Sequence, residues 1–197
     1  MRFDSIVDRI RYRQEHSVDP EAFLRDVGAI RSVDGSEQLR FTPEFASRLE
    51  RYVGTFREEG VDASVVARIF GVDESQVAVA DRPYTAFKVI HTVRNWPSAD
   101  ALVFDAAADA ALRVATDRWD AVPPRQRYRM LQSLRSFQDA CLFCDGRLVF
   151  STEPVESCCS DRWVLSLHCD GCGRRFLEFS TEQRNTAEAF GNVSAGG

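Results

Sequence analysis

Two Cys-x-x-Cys pairs, Cys141-Leu-Phe-Cys144 and Cys169-Asp-Gly-Cys172, stand 24 residues apart in the last third of a 197-residue chain. A two-residue spacer lets both thiolates of a pair reach one ion, and two pairs complete a closed tetrahedral shell of four sulfurs. Such a shell constrains folding strongly, because binding a structural metal contributes on the order of 10 kcal/mol. Gly146 and Gly173 follow the two pairs, where a tight chain reversal calls for glycine. Three runs of strand character lie between and after the pairs: Leu148-Val149-Phe150, Trp163-Val164-Leu165-Ser166-Leu167 and Phe176-Leu177-Glu178-Phe179. The pattern predicts a small three-stranded β zinc ribbon over residues 140–181, with Cys141, Cys144, Cys169 and Cys172 holding one structural Zn2+. Iron would use the same four sulfurs; zinc is the commoner occupant of such ribbons.

The remaining cysteines, Cys158 and Cys159, are adjacent. Neighbours on a strand point to opposite faces, so both cannot join one shell. They are read as small buried hydrophobes or as a redox or regulatory thiol pair rather than as ligands, and His168, beside Cys169, as an exposed or core histidine. The string from Cys141 to Glu178, with C-L-F-C-D-G, V-E-S-C-C-S-D and C-D-G-C-G-R-R-F-L-E in order, resembles the zinc ribbons of haloarchaeal proteins of uncharacterised role. That resemblance implies a metal-binding fold and a salt-loving source, and no activity. Neither pair carries the proline usual in such knuckles.

Composition narrows the setting. The net charge is −5, Lys88 is the sole lysine, and every other cationic side chain is arginine. An acidic, lysine-poor surface suits a halophilic archaeon, and a GC-rich genome biases codons the same way. Bulk charge does not advertise nucleic-acid binding. No apolar run approaches the roughly 18–20 residues needed to span a bilayer, and the N-terminus lacks the apolar stretch of a secretion signal. A cytoplasmic protein with no membrane contact is expected, its thiols reduced.

Residues 1–139 read as a mainly α-helical domain, followed by the ribbon and by a tail, 182–197, expected to be disordered. Helices are predicted over 3–15, from Pro20 to Gly28, and from Thr42-Pro43 onward, where Phe45, Leu49, Val53 and Phe56 recur at helical spacing. A short hairpin is predicted around Asp34-Gly35. Residues 84–96 read as a helix with Ala86, Val89, Ile90 and Val93 inward. Ser98 caps an alanine-rich helix to about Asp117, and a last helix follows Pro123-Pro124 and runs into the first cysteine pair.

Residues 63–80 fit a helix-turn-helix pattern, with Val66 and Phe70 inward, Gly71 at the turn and Val72, Val77 and Ala80 beyond it. Its second helix offers only Ser75, Gln76 and Arg82 to DNA, beside Asp73, Glu74 and Asp81. Residues 124–138 hold Arg125, Arg127, Arg129 and Arg135 with no acidic residue, which makes them the better nucleic-acid candidates. Nucleotide-binding, zinc-protease and serine-hydrolase motifs are absent, so no enzyme is expected. The function this pattern favours is a zinc-binding, DNA-associated transcriptional regulator; the alternative is a protein–protein adaptor with a purely structural zinc ribbon and no nucleic-acid contact. The first should group Arg125 and Arg129 with the helix-turn-helix on one face. The second should expose an apolar patch.

Overall fold

The computed structural model describes residues 12, 14–33, 38–155 and 162–181. Among the described residues, five complete α-helices and three small antiparallel sheets follow from local signals and pack into two hydrophobic clusters, a large one in the helical part and a small one in the C-terminal sheet. Helix α1 (Pro20–Asp26) is capped by Asp19, whose carboxylate accepts from the Ala22 amide at 2.7 Å. Strands β1 (Ile30–Ser32) and β2 (Leu39–Phe41) form the first hairpin, Ile30 opposite Phe41; the Asp34-Gly35 turn lies outside the described residues. Helix α2 (Pro43–Glu59) starts at the Thr42 cap and buries the four residues predicted for it, Phe45, Leu49, Val53 and Phe56. Helix α3 (Ala63–Phe70) is capped by Asp62 and ends at Gly71, which is left-handed with φ 62°.

The chain then departs from expectation. A single 3-10 turn, Glu74–Gln76, leads into strand β3 (Val77–Val79), so the second helix of a helix-turn-helix is not formed. Residues 84–96 are not helical either: β4 (Ala86–Val89) and β5 (Thr92–Asn95) make a hairpin that extends the sheet in the order β3-β4-β5. Ala86 and Val89 are buried as predicted, whereas Ile90 and Val93 are exposed. The spacing of these four positions suits a helix as well as two alternating strands, and the Ile90-His91 turn carries no glycine or asparagine to reveal it.

Helix α4 (Ala99–Ala115), capped by Ser98, is the central element. Ala101, Ala106, Ala107, Ala108 and Ala111 are fully buried, which lets α2, α3 and α5 (Pro124–Leu134) approach it closely. Small side chains on several faces are what a helix buried on most sides requires. The ribbon sheet follows as β6 (Leu148–Val155), β7 (Arg162–Cys169) and β8 (Arg175–Thr181), antiparallel in that order. The predicted N-terminal helix falls mostly, and the tail and Cys158-Cys159 fall wholly, outside the described residues. Among the described residues no helix is long and apolar enough to cross a membrane.

Candidate metal centre

The two knuckles sit at one end of the ribbon sheet and bring four sulfurs within 4.8 Å of one another: Cys141, Cys144, Cys169 and Cys172. Cys141 Sγ lies 3.8 Å from Cys172 Sγ, and Cys144 Sγ lies 3.5 Å from Cys169 Sγ. A tetrahedral ion with metal–sulfur bonds of about 2.3 Å requires sulfur–sulfur edges of about 3.8 Å. The donor set and its spacing therefore fit a metal ion in a closed shell.

Each knuckle turns main-chain amides onto its sulfurs. The Phe143 amide donates to Cys141, the Gly146 amide to Cys144 and the Arg174 amide to Cys172. The residue after the second cysteine of each pair is left-handed, Asp145 at φ 58° and Gly173 at φ 71°. Asp145 takes in the first knuckle the place that glycine takes in the second. Gly146 is needed for a different reason: a Cβ there would lie 2.8 Å from Cys169 Sγ and 3.2 Å from Cys144 Sγ.

The electrostatics are uneven across the shell. Burial pushes the Cys141 thiol up to about 12. Burial also acts to raise Cys172, but the amide and guanidinium of Arg174 outweigh it and bring that thiol down to about 6. Arg174 in turn pairs with Asp100 of α4 at 3.0 Å and lies over the Phe143 ring at 5.3 Å, with Arg57 over the same ring at 5.4 Å. The first knuckle is thus tied to α2, and the second to α4. His168 stands apart from the shell, with its Nδ1 3.4 Å from Ser151 Oγ.

The arginines predicted as nucleic-acid contacts divide. Arg135 is 1% exposed, bonded through Nε and Nη2 to Asp105 at 2.8 and 2.5 Å and through Nη1 to the Phe176 carbonyl at 2.9 Å. Arg127 is 2% exposed and pairs with Asp120 at 3.1 Å. Neither can offer its guanidinium to a phosphate; both are core residues. Arg125 and Arg129 are exposed on α5. Gln76 and Arg82 are exposed too, and the Gln76 side chain accepts from the Asp73 amide at 3.3 Å.

Two buried carboxylates escaped the sequence reading. Asp105 accepts from the Trp96 indole at 2.8 Å and pairs with Arg135; Asp109, one turn on, accepts from the Trp119 indole at 2.8 Å and pairs with Arg113 at 2.7 Å. The available signal was two aspartates at i and i+4 among buried alanines, in a chain whose tryptophans need acceptors when buried.

Fold and site together define a helical domain to which a ribbon carrying four cysteines able to hold a metal ion is docked through buried polar contacts. The chain matches the central-domain model of a family of unknown function (DUF8054) over residues 19–136 and that family's C-terminal-domain model over 139–179, and it belongs to that family. No curated protein and no solved structure matches it.

Proposed function

We propose that the protein is a non-enzymatic interaction module, in which a zinc-held ribbon presents one uncharged face of its sheet to a protein partner. The observation that carries this reading is the sidedness of β6-β7-β8. Residues directly opposite one another share a face. Phe150 stands opposite Leu167 and Leu167 opposite Leu177; Thr152 opposite Leu165 and Leu165 opposite Phe179; Pro154 opposite Trp163. That face holds no charged residue among these positions. On this face Leu167 and Leu177 are buried, while Phe150, at the outer strand of the same row, and Trp163 and Phe179, further from the knuckles, remain 53%, 40% and 48% exposed. The charges lie on the other face, where Arg175 pairs with Glu178 at 3.0 Å and with Glu153 at 3.9 Å. A contiguous exposed apolar patch is the mark of an interaction surface.

Zinc is the metal this reading assigns, because four thiolates in a closed tetrahedral shell suit it and leave no position for a reacting water. The lysine-poor acidic composition supports a salt-rich, intracellular setting. The DNA-associated regulator reading keeps one supporting observation, the exposure of Arg125 and Arg129 without an ion-pair partner among the described residues. It has lost its reading helix and two of its arginines.

A photo-crosslinking amino acid placed at Phe179 or at Arg125 in living cells separates the two. The adaptor reading expects a discrete protein adduct from position 179, abolished by Phe150→Ser, and none from 125. Nucleic-acid adducts from 125 with nothing from 179 would reverse the choice.

A further inference from the structure

A cleft of about 420 Å3 separates the helical domain from the ribbon, and both of its walls are sheet edges. On one side runs β5, the outer strand of β3-β4-β5, contributing Val93 and Arg94; on the other runs β8, contributing Glu178 and Phe179. The main-chain direction of each edge follows from hydrogen bonds already made. The Trp96 amide donates to Thr85 on the β4 side, so Asn95 and Val93 turn outward; the Asn95 carbonyl takes the Tyr128 hydroxyl at 3.3 Å. The Cys169 amide donates to Arg174 on the β8 side, so Leu167 and Leu165 face Leu177 and Phe179, and Glu178 between them turns away from β7. Among the described residues no strand pairs with the outward groups of Val93 or Glu178.

The cleft also holds an uncompensated charge. The Arg94 guanidinium lies over the rings of Phe70 and Tyr128, 5.6 and 5.7 Å from their centroids. Its Nε is buried without a hydrogen-bond partner, and it forms no ion pair among the described residues. The other charges in the wall are satisfied: Glu178 by Arg175 and Arg135 by Asp105. Aromatic stacking orients a guanidinium and leaves its charge and in-plane donors available to a carboxylate.

We infer that this cleft is the docking groove for an extended acidic peptide of a partner protein, which adds as a strand along β8 and brings a carboxylate to Arg94. The inference rests on the protein-interaction reading above and specifies the partner's segment. Main-chain bonds to the Glu178 edge supply affinity, Arg94 supplies selectivity for the acid, and Val93 and Phe179 receive the flanking apolar side chains. A cleft of this size suits a few side chains rather than a whole domain.

The test selects a phage-displayed library of random nine-residue peptides against the immobilised, zinc-loaded full chain. Expected are sequences with Asp or Glu between alternating apolar residues. The best of them, fluorescently labelled, should bind about tenfold more weakly to Arg94→Gln and lose about tenfold when its own acid becomes an amide, the two losses not adding. Arg94 also packs on the core, so Glu178→Pro is the second variant: it removes the outward amide and leaves the β7 pairing intact, and it should abolish binding, whereas Glu178→Ala, which loses the same Arg175 ion pair but keeps the amide, should not. Selected peptides without an acid, or indifferent to both Arg94→Gln and Glu178→Pro, would overturn the groove. If binding then depends on Phe150, which lies outside the cleft, the interaction reading stands without it. An empty selection together with no adduct from position 179 would sink both.

Discussion

Arg135 and Asp105 lie side by side where the ribbon meets the helical core, and the guanidinium that neutralises the α4 carboxylate also holds the Phe176 carbonyl of β8. One buried residue therefore serves both parts of the chain. Removing one member of a buried ion pair strands the other charge and costs about 3–5 kcal/mol. Arg135→Met should show a loss of that size in urea unfolding, with the ribbon and helical signals shifting together. Arg135→Met combined with Asp105→Leu should recover a large part of it, because the stranded carboxylate is gone; the Trp96 indole, left without its acceptor, limits the recovery. Equal losses in the single and double variants would show that the charge pair is not the cause.

The knuckle glycines should differ in what they tolerate. Gly146→Ala places a methyl against two sulfurs and should speed metal release to a chelator at least about tenfold, since even modest disturbance of a site's support weakens metal affinity by about 10–100-fold. At Gly173 nothing lies within 4 Å of the added Cβ, so Gly173→Ala carries only the left-handed strain, about 1 kcal/mol. Wild-type protein should hold about one zinc per chain by elemental analysis. Cys144→Ser should lose the metal and the ribbon while keeping most helical signal. Two metals per chain, or iron, would refute the assignment.

Ile90 occupies the first turn position of the β4-β5 hairpin at φ 56°, a conformation unfavourable for a β-branched residue. Its amide donates to the Gln76 carbonyl at 2.8 Å, which holds the turn in place. Ile90→Gly should raise stability by about 1 kcal/mol, or about 2–4 °C in melting temperature for a chain of this size. A lower melting temperature would mean that the half-exposed Ile90 side chain contributes more than its backbone costs.

Asp62 caps α3, accepting from the Ser64 hydroxyl at 2.6 Å and the Val65 amide at 3.0 Å; the first of these, then the second, hold its carboxyl below the usual range. A folded-state pKa below the unfolded value means stability that is present above the unfolded value, about 3.9, and lost as pH falls through the folded one. Asp62→Ala should cost about 1 kcal/mol at neutral pH. The gap between the two proteins should close in acid below that range. A pH-independent gap would assign the loss to packing rather than to the cap.

What the chain spells out locally was legible without a structure. The knuckles, the three ribbon strands and the caps at Thr42 and Ser98 each depend on residues within a few positions of one another, so spacing and residue type suffice. The periodicity of α2 was equally plain, because one uninterrupted face is buried. The hairpin over β4 and β5 was not: its strands are four residues each, too short to separate period two from period 3.6, and its turn is held by the distant Gln76 carbonyl rather than by turn chemistry. The same contact with β3 draws residues 77–79 into a sheet where a second helix had fitted the pattern.

The arginines mark the limit most clearly. Helical spacing on α5 tells which residues share a face and says nothing of what lies opposite. Arg125 and Arg129 meet solvent. Arg127 meets Asp120, and Arg135 meets a carboxylate thirty positions earlier in the chain. The sequence by itself determined which four cysteines come together, since two Cys-x-x-Cys pairs at that spacing fit the corners of one tetrahedral site. Only the tertiary structure decided which positive charges are free, because a guanidinium becomes a core residue or a contact residue according to where a distant acid folds to meet it.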